Sequence, residues 1–330
     1  MRWVLGILAA VAVVIGGGIG ALFLVRPLEP PLEIVDAGPS GQRIEDGRVL
    51  ANYFPAPGGG PAPGILLLGG SEGGLGTGGQ RMAIALQEAG YSVLQLAFYR
   101  APGQPKDLIK VPLETFDAGL LWLREQPGVD PDRLALLGVS KGAEAGLITA
   151  ARGADLDAVV LGAPSSVSWA GINWALGGFG IGPSWSLDGE AHPYLPYGRF
   201  GDGVLSLYAN GLAARDEHPD AVIAVENVTA PILIVCGEED ILWPSCLMAE
   251  QIAQRASERG GPEVGILSYP DAGHGSIGVP HNADADAYEL LASWGGTPEG
   301  NNRARAESLD AILAFLSAEL GASRDNGAAP

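Results

Sequence analysis

Positive charge is scarce in this sequence. Lysine and arginine total 19 against 38 aspartates and glutamates, a formal net charge of −19. No basic run is long enough to follow a phosphate backbone, which argues against nucleic acid as a partner. Cysteine is scarcer still, with Cys236 and Cys246 as the whole supply. Two thiols without a C-x-x-C pair cannot build a cysteine zinc site, and no metal or cofactor is expected. They read most simply as two packed small apolar residues, with a bridge between them as the alternative. The 50 glycines and 25 prolines have no period. Collagen-like and solenoid architectures are thereby excluded.

What the chain has in quantity is apolar sequence, 47% of 330 residues, enough for a large core. Residues 3–25 carry no charge and are flanked by Arg2 and Arg26. At about 1.5 Å per residue a helix of that length spans a bilayer core, and the apolar run continues past the weak cleavage site at Gly18, Gly20 and Ala21. The expectation is an uncleaved transmembrane anchor over 1–26, with the lipid bilayer as a partner through residues 3–25. The body then lies outside the cytoplasm, with a secreted form as the alternative. Pro27, Pro30 and Pro31 read as a stiff spacer.

The remainder, 27–330, reads as one domain. Short strands are expected over 32–35 and 49–54, then a proline- and glycine-rich connection over 55–64. Apolar strands over 65–68, 92–97, 134–139, 158–161, 232–235 and 264–268 alternate with helices over 80–88, 113–125, 141–152, 247–258 and 302–320. Such alternation predicts an α/β fold with a mostly parallel central sheet and helices on both faces. Fully apolar strands such as 65–68 and 232–235 suit positions buried on both sides. Residues 164–228 break the alternation and read as a lid-like insertion.

Gly138-Val139-Ser140-Lys141-Gly142 matches G-x-S-x-G. It follows an apolar strand and opens a helix of small residues, the strand–turn–helix of a nucleophile elbow. A serine hydroxyl needs a base. Of the four histidines, His192 and His218 precede prolines in the insertion and His281 lies in a polar loop. His274, in a glycine-flanked loop after the last predicted strand, is the candidate base. The strand over 232–235 runs into Cys236-Gly237-Glu238-Glu239-Asp240, where Asp240 is the candidate orienting acid and Glu239 its rival. The order serine, acid, histidine is that of an α/β-hydrolase fold. The glycine loop Gly69-Gly70-Ser71-Glu72-Gly73-Gly74 allows close approach to a developing oxyanion, so the backbone N–H groups of Ser71 and Lys141 are the candidate oxyanion donors. Trp169, Trp174 and Tyr194 in the insertion are candidate substrate-binding residues, or else packing.

These segments resemble the catalytic domain of the acyl-CoA thioesterase / bile acid-CoA:amino acid N-acyltransferase family. The resemblance runs through the glycine loop, the elbow with Ala143-Glu144, Ala163-Pro164-Ser165-Ser166-Val167, Pro193-Tyr194-Leu195-Pro196-Tyr197 and Asp271-Ala272-Gly273-His274, roughly residues 62–320. It implies Ser140, Asp240 and His274 as the triad. The family's acyltransferases carry cysteine as nucleophile and its hydrolases serine, so serine here favours hydrolysis. Residues 27–61 are too few for the β-sandwich domain that precedes the catalytic domain in animal members. The expected substrate is therefore a small-molecule acyl thioester or ester, cleaved through an acyl-serine intermediate. The alternatives are amide-forming acyl transfer, a carboxylesterase or dienelactone hydrolase-like activity, and an inactive membrane-tethered binding module. The sequence does not decide oligomeric state.

Overall fold

The computed structural model describes residues 26, 29–58, 60–178 and 180–321. The predicted anchor over 3–25 lies outside them. Among the described residues, no helix is long and apolar enough to cross a membrane.

The chain opens with β1 (Gln42–Asp46) and β2 (Val49–Phe54), an antiparallel hairpin. Residues 32–35, expected as a strand, are not part of the sheet. The amide of Val35 instead bonds the Leu75 carbonyl, and its own carbonyl is taken by the side chains of Arg43 and Asn52. The true partner of β2 is the polar strand β1, whose five residues lack the apolar pattern that marks a strand.

Next come β3 (Ala62–Leu68), α1 (Thr77–Glu88), β4 (Ser92–Ala97), β5 (Val111–Pro112), α2 (Glu114–Arg124), β6 (Val129–Val139), α3 (Lys141–Ala151) and β7 (Ala158–Gly162). The insertion holds β8 (Trp185–Leu187), β9 (Glu190–Ala191) and α4 (Leu205–Leu212). The chain closes with β10 (Ile232–Gly237), α5 (Ser245–Arg259), β11 (Val264–Tyr269), α6 (Asp286–Glu289) and α7 (Pro298–Leu320). Eight strands form one sheet in the order β1-β2-β4-β3-β6-β7-β10-β11. All neighbours from β4 to β11 are parallel, and β1, β2 and β4 pair antiparallel.

Side chains alternate across a strand, so each central strand feeds two cores. Leu66, Leu68, Leu134, Leu136, Ile234 and Cys236 face one way and meet Phe116 and Leu123 of α2, Leu147 of α3 and Ile252 of α5. Ile65, Leu67, Ala135, Leu137, Leu233 and Val235 face the other way and meet Met82 and Leu86 of α1 and Ile312 and Leu316 of α7. Each such leucine or isoleucine adds about 1.5–3 kcal/mol of apolar burial. A double-sided core of this kind holds the parallel strands with their C-terminal ends in register, which is where ligand sites form in open α/β sheets.

Cys236 and Cys246 are bonded, with Cα atoms 5.2 Å apart. This corrects the simpler reading of two unlinked apolar residues. Cys236 points from β10 to the face covered by α5, and Cys246 sits in the first turn of that helix. Spacing in sequence does not reveal that two thiols share a face. The bridge closes the loop that carries Asp240.

Candidate active site

Three loops meet at the C-terminal rim of the sheet. The first leaves β6. Ser140 stands between β6 and α3 at φ 56°, ψ −120°, and its amide bonds the Gly162 carbonyl at 2.9 Å. The flanking glycines exist because the turn has no room. A Cβ on Gly142 would lie 2.1 Å from the Gly69 carbonyl oxygen, and one on Gly138 2.4 Å from that of Gly142. Ser140 therefore stands at the first turn of α3, where the helix N-terminus favours negative charge.

The second loop leaves β10. Of its three carboxylates, Glu238 and Glu239 are exposed and Asp240 is buried. Asp240 Oδ1 accepts from the amides of Leu242 at 2.9 Å and Trp243 at 3.2 Å, which leaves Oδ2 turned to His274 Nδ1 at 2.8 Å. Glu239, the rival acid, is exposed, and the carboxylate that meets the histidine is that of Asp240. The third loop leaves β11. His274 Nε2 lies 2.9 Å from Ser140 Oγ. Asn301, fully buried on α7, secures this loop. It accepts from the Gly273 amide and donates to the carbonyls of Gly295 and Thr297. The ring of Trp243 meets His274 edge-on at 5.7 Å and walls one side.

The glycine loop after β3 faces the serine. A Cβ on Gly70 would lie 3.1 Å from Ser140 Cβ and 3.5 Å from its Oγ. Glu72 folds back over this loop and takes the Gly70 amide at 2.9 Å. Among the described residues, the amides of Ser71 and Lys141 have no protein partner.

The side chain of Lys141 turns away from the nucleophile into the protein. It is buried with Glu144, Nζ to Oε2 at 2.5 Å, and also donates to Ser184 Oγ at 2.8 Å while lying over the Trp185 ring. The other oxygen of Glu144 accepts from the Trp169 amide at 2.9 Å and Trp185 Nε1 at 2.7 Å. Burial pushes the Lys141 pKa down and that of Glu144 up, while each charge favours the other. One turn of the elbow helix thus carries the inner wall of the insertion. The i, i+3 spacing of Lys141 and Glu144 is visible in sequence. Their partners, some 25 to 43 residues on, are not.

The insertion has its own small core of Val167, Trp169, Leu195, Tyr208 and Leu212, closed by Trp243 and Met248. Trp169 is fully buried there, stacked on Tyr197 and edge-on to Tyr208, so its ring packs the insertion. Trp174 is half-buried beneath the Arg100 guanidinium, with its amide on Asp107. Tyr194 is half-buried in the loop after β9. Among the described residues, no group of three or more His, Cys, Asp or Glu side chains is arranged to hold a metal ion.

A family model described as "BAAT / Acyl-CoA thioester hydrolase C terminal" matches residues 111–322. Mitochondrial acyl-coenzyme A thioesterase 2 of Mus musculus is 29% identical over 288 residues, 84% of this chain and 60% of the mouse protein. The peroxisomal succinyl-coenzyme A thioesterase of the same species is 27% identical over 85% of this chain and 65% of its own length. The chain thus spans less than two thirds of these relatives. Among solved structures, the dienelactone hydrolase-like promiscuous phosphotriesterase P91 from metagenomic libraries superposes with a TM-score of 0.53 at 15% identity, covering 85% of this chain and 98% of that one. A puromycin-hydrolyzing peptidase of Mycobacterium tuberculosis gives 0.56 at 17% identity, over 89% of this chain and 41% of its own. At such identities the two structures speak for the α/β-hydrolase fold alone.

Proposed function

Since the chain belongs to the BAAT / acyl-CoA thioester hydrolase C-terminal family, we propose that it is a serine hydrolase that cleaves acyl thioesters of the acyl-CoA type. The observation that carries this reading is the hydrogen-bonded series from Asp240 through His274 to Ser140, at 2.8 and 2.9 Å. In the first half-reaction His274 Nε2 takes the hydroxyl proton as Ser140 Oγ attacks the carbonyl carbon. Asp240 holds the imidazole with its Nδ1 proton inward and stabilises the imidazolium. The amides of Ser71 and Lys141 receive the tetrahedral oxyanion, each worth about 3–4 kcal/mol in the transition state. Collapse expels the thiolate, which takes the proton from His274. Water, activated by the same histidine, then attacks the acyl-serine and releases the acid.

A thioester suits this site because its leaving group is weakly basic and departs with little help from the acid. The second-ranked reading, transfer of the acyl group to an amine, is disfavoured by the serine at position 140. The test is a panel of acyl-CoA thioesters and p-nitrophenyl esters of matched chain length, with and without glycine or taurine. Thiol release with free acid as product is expected. Acyl amide as the main product would replace hydrolysis by transfer, and inertness toward both panels would overturn the reading.

We propose further that the domain works outside the cytoplasm, tethered by the apolar segment 3–25. The Cys236–Cys246 bridge supports this, because such bridges persist where the surroundings are oxidising. Alkylation of the protein in intact cells, before any reductant is added, is expected to leave both cysteines unmodified. Two freely alkylated thiols would place it in a reducing compartment.

A further inference from the structure

Among the described residues, Arg81 and Arg305 have no acidic partner. Arg81 lies on α1, directly after the glycine loop, and Arg305 lies on α7, beneath the loop that carries His274. Both are half-buried. Arg81 Nη1 sits 2.7 Å from Nε2 and 2.9 Å from Nδ1 of His281, and its Nη2 donates to the Pro280 carbonyl at 2.7 Å. Arg305 Nε donates to the Gly275 carbonyl, the residue after His274, at 2.8 Å. Among the described residues, no carboxylate pairs with either. Asn302 holds His281 in place through both backbone groups of that residue.

This arrangement is unfavourable by itself. Burial, followed by the charge of Arg81, lowers the pKa of Arg305 to about 10. Burial, followed by the two arginines, lowers that of His281, which keeps it a neutral acceptor for Arg81. Two neighbouring cations without a counter-charge are conspicuous in a chain with twice as many acids as bases. Elsewhere in the protein arginines do pair with acids, as Arg255 with Glu226 and Arg152 with Asp117. Repulsion between unpaired guanidiniums is relieved by an anion between them. Two planar forks match the several oxygens of a phosphate better than the single carboxylate of an acyl chain.

Resting on the thioesterase reading above, we propose that Arg81 and Arg305 form a subsite for a phosphate group of the leaving portion, the coenzyme A end of the thioester. The position suits that role. Arg81 lies on the helix that follows the loop facing the nucleophile, and Arg305 bonds the carbonyl of the residue after the base, so both belong to the segments that frame the site. The subsite would give the enzyme preference for a phosphorylated leaving group over a plain thiol.

The test compares one acyl chain on two thiols, coenzyme A and the phosphate-free N-acetylcysteamine. In Arg81→Gln and Arg305→Gln the ratio of kcat/KM for the two substrates is expected to fall about tenfold, through KM for the coenzyme A thioester. Arg81→Lys, which keeps the charge, is expected to retain most of the preference. An equal loss on both thioesters would mean that the arginines merely hold the histidine loop, and would overturn the proposal. If the wild type cleaves neither thioester, the thioesterase reading fails by itself. The subsite is then read directly, by pyrophosphate raising the Tm of the wild type and not of the Arg81→Gln/Arg305→Gln double variant. No rise in the wild type would remove it.

Discussion

Ser140→Ala is expected to lower kcat on an acyl thioester by a factor on the order of 10,000 or more, with the fold intact. Alanine keeps the backbone of the elbow, since it bears the same Cβ at the same positive φ. What disappears is the hydroxyl that donates its proton to His274 Nε2, 2.9 Å away. Because serine, histidine and aspartate act as one unit, adding His274→Ala should cost little more. Residual rate over water would come from the oxyanion donors. Two measurements decide the matter, thiol release with purified protein and covalent labelling by a fluorophosphonate probe. Full labelling or full turnover in the alanine variant would move the nucleophile elsewhere. Circular dichroism guards against reading misfolding as lost chemistry.

Glu144→Ala is expected to have the largest effect on stability, a loss of about 3–5 kcal/mol. The carboxylate is fully buried and meets three donors, Lys141 Nζ, the Trp169 amide and the Trp185 indole. Its removal leaves the Lys141 ammonium in a dry site and frees two donors that water does not reach. Replacing both charges, as in Lys141→Met/Glu144→Leu, should recover much of that loss, because the ion pair offsets a desolvation penalty that apolar side chains never incur. Urea unfolding midpoints at constant slope would measure both variants. A single-variant loss below about 1 kcal/mol would show that the pair is dispensable to the fold. The consequence reaches the chemistry, since the insertion hangs from the helix whose first amide, that of Lys141, is the proposed oxyanion donor. Loosening the pair should therefore also weaken turnover in the fraction that stays folded.

Legibility in the sequence followed the range of the interaction. Strands such as Ser92–Ala97 and helices such as Glu114–Arg124 could be read within a residue or two of their ends, because alternation and helical spacing are properties of neighbours along the chain. The edge strand Gln42–Asp46 could not be read, since it is polar and its strand character comes from pairing with β2. Asp240 could be chosen from a turn of three acids with Glu239 as its rival, and burial and the contact with His274 are what separate the two in the structure. The insertion was legible as an interruption, not as the aromatic core it forms.

By itself the sequence determined the parallel α/β order, the place of the elbow and the order of serine, acid and histidine, because each depends on local spacing and on which strand precedes which loop. Tertiary structure alone decided the rest. Ser140 and His274 are 134 residues apart and meet at 2.9 Å. Cys236 joins Cys246, Glu144 supports the insertion, and Arg81 faces His281 across 200 residues. The reason is physical. A residue's type sets what it can bond, but only the crossing of strands and helices in three dimensions sets which partner is within reach and whether water is there to compete.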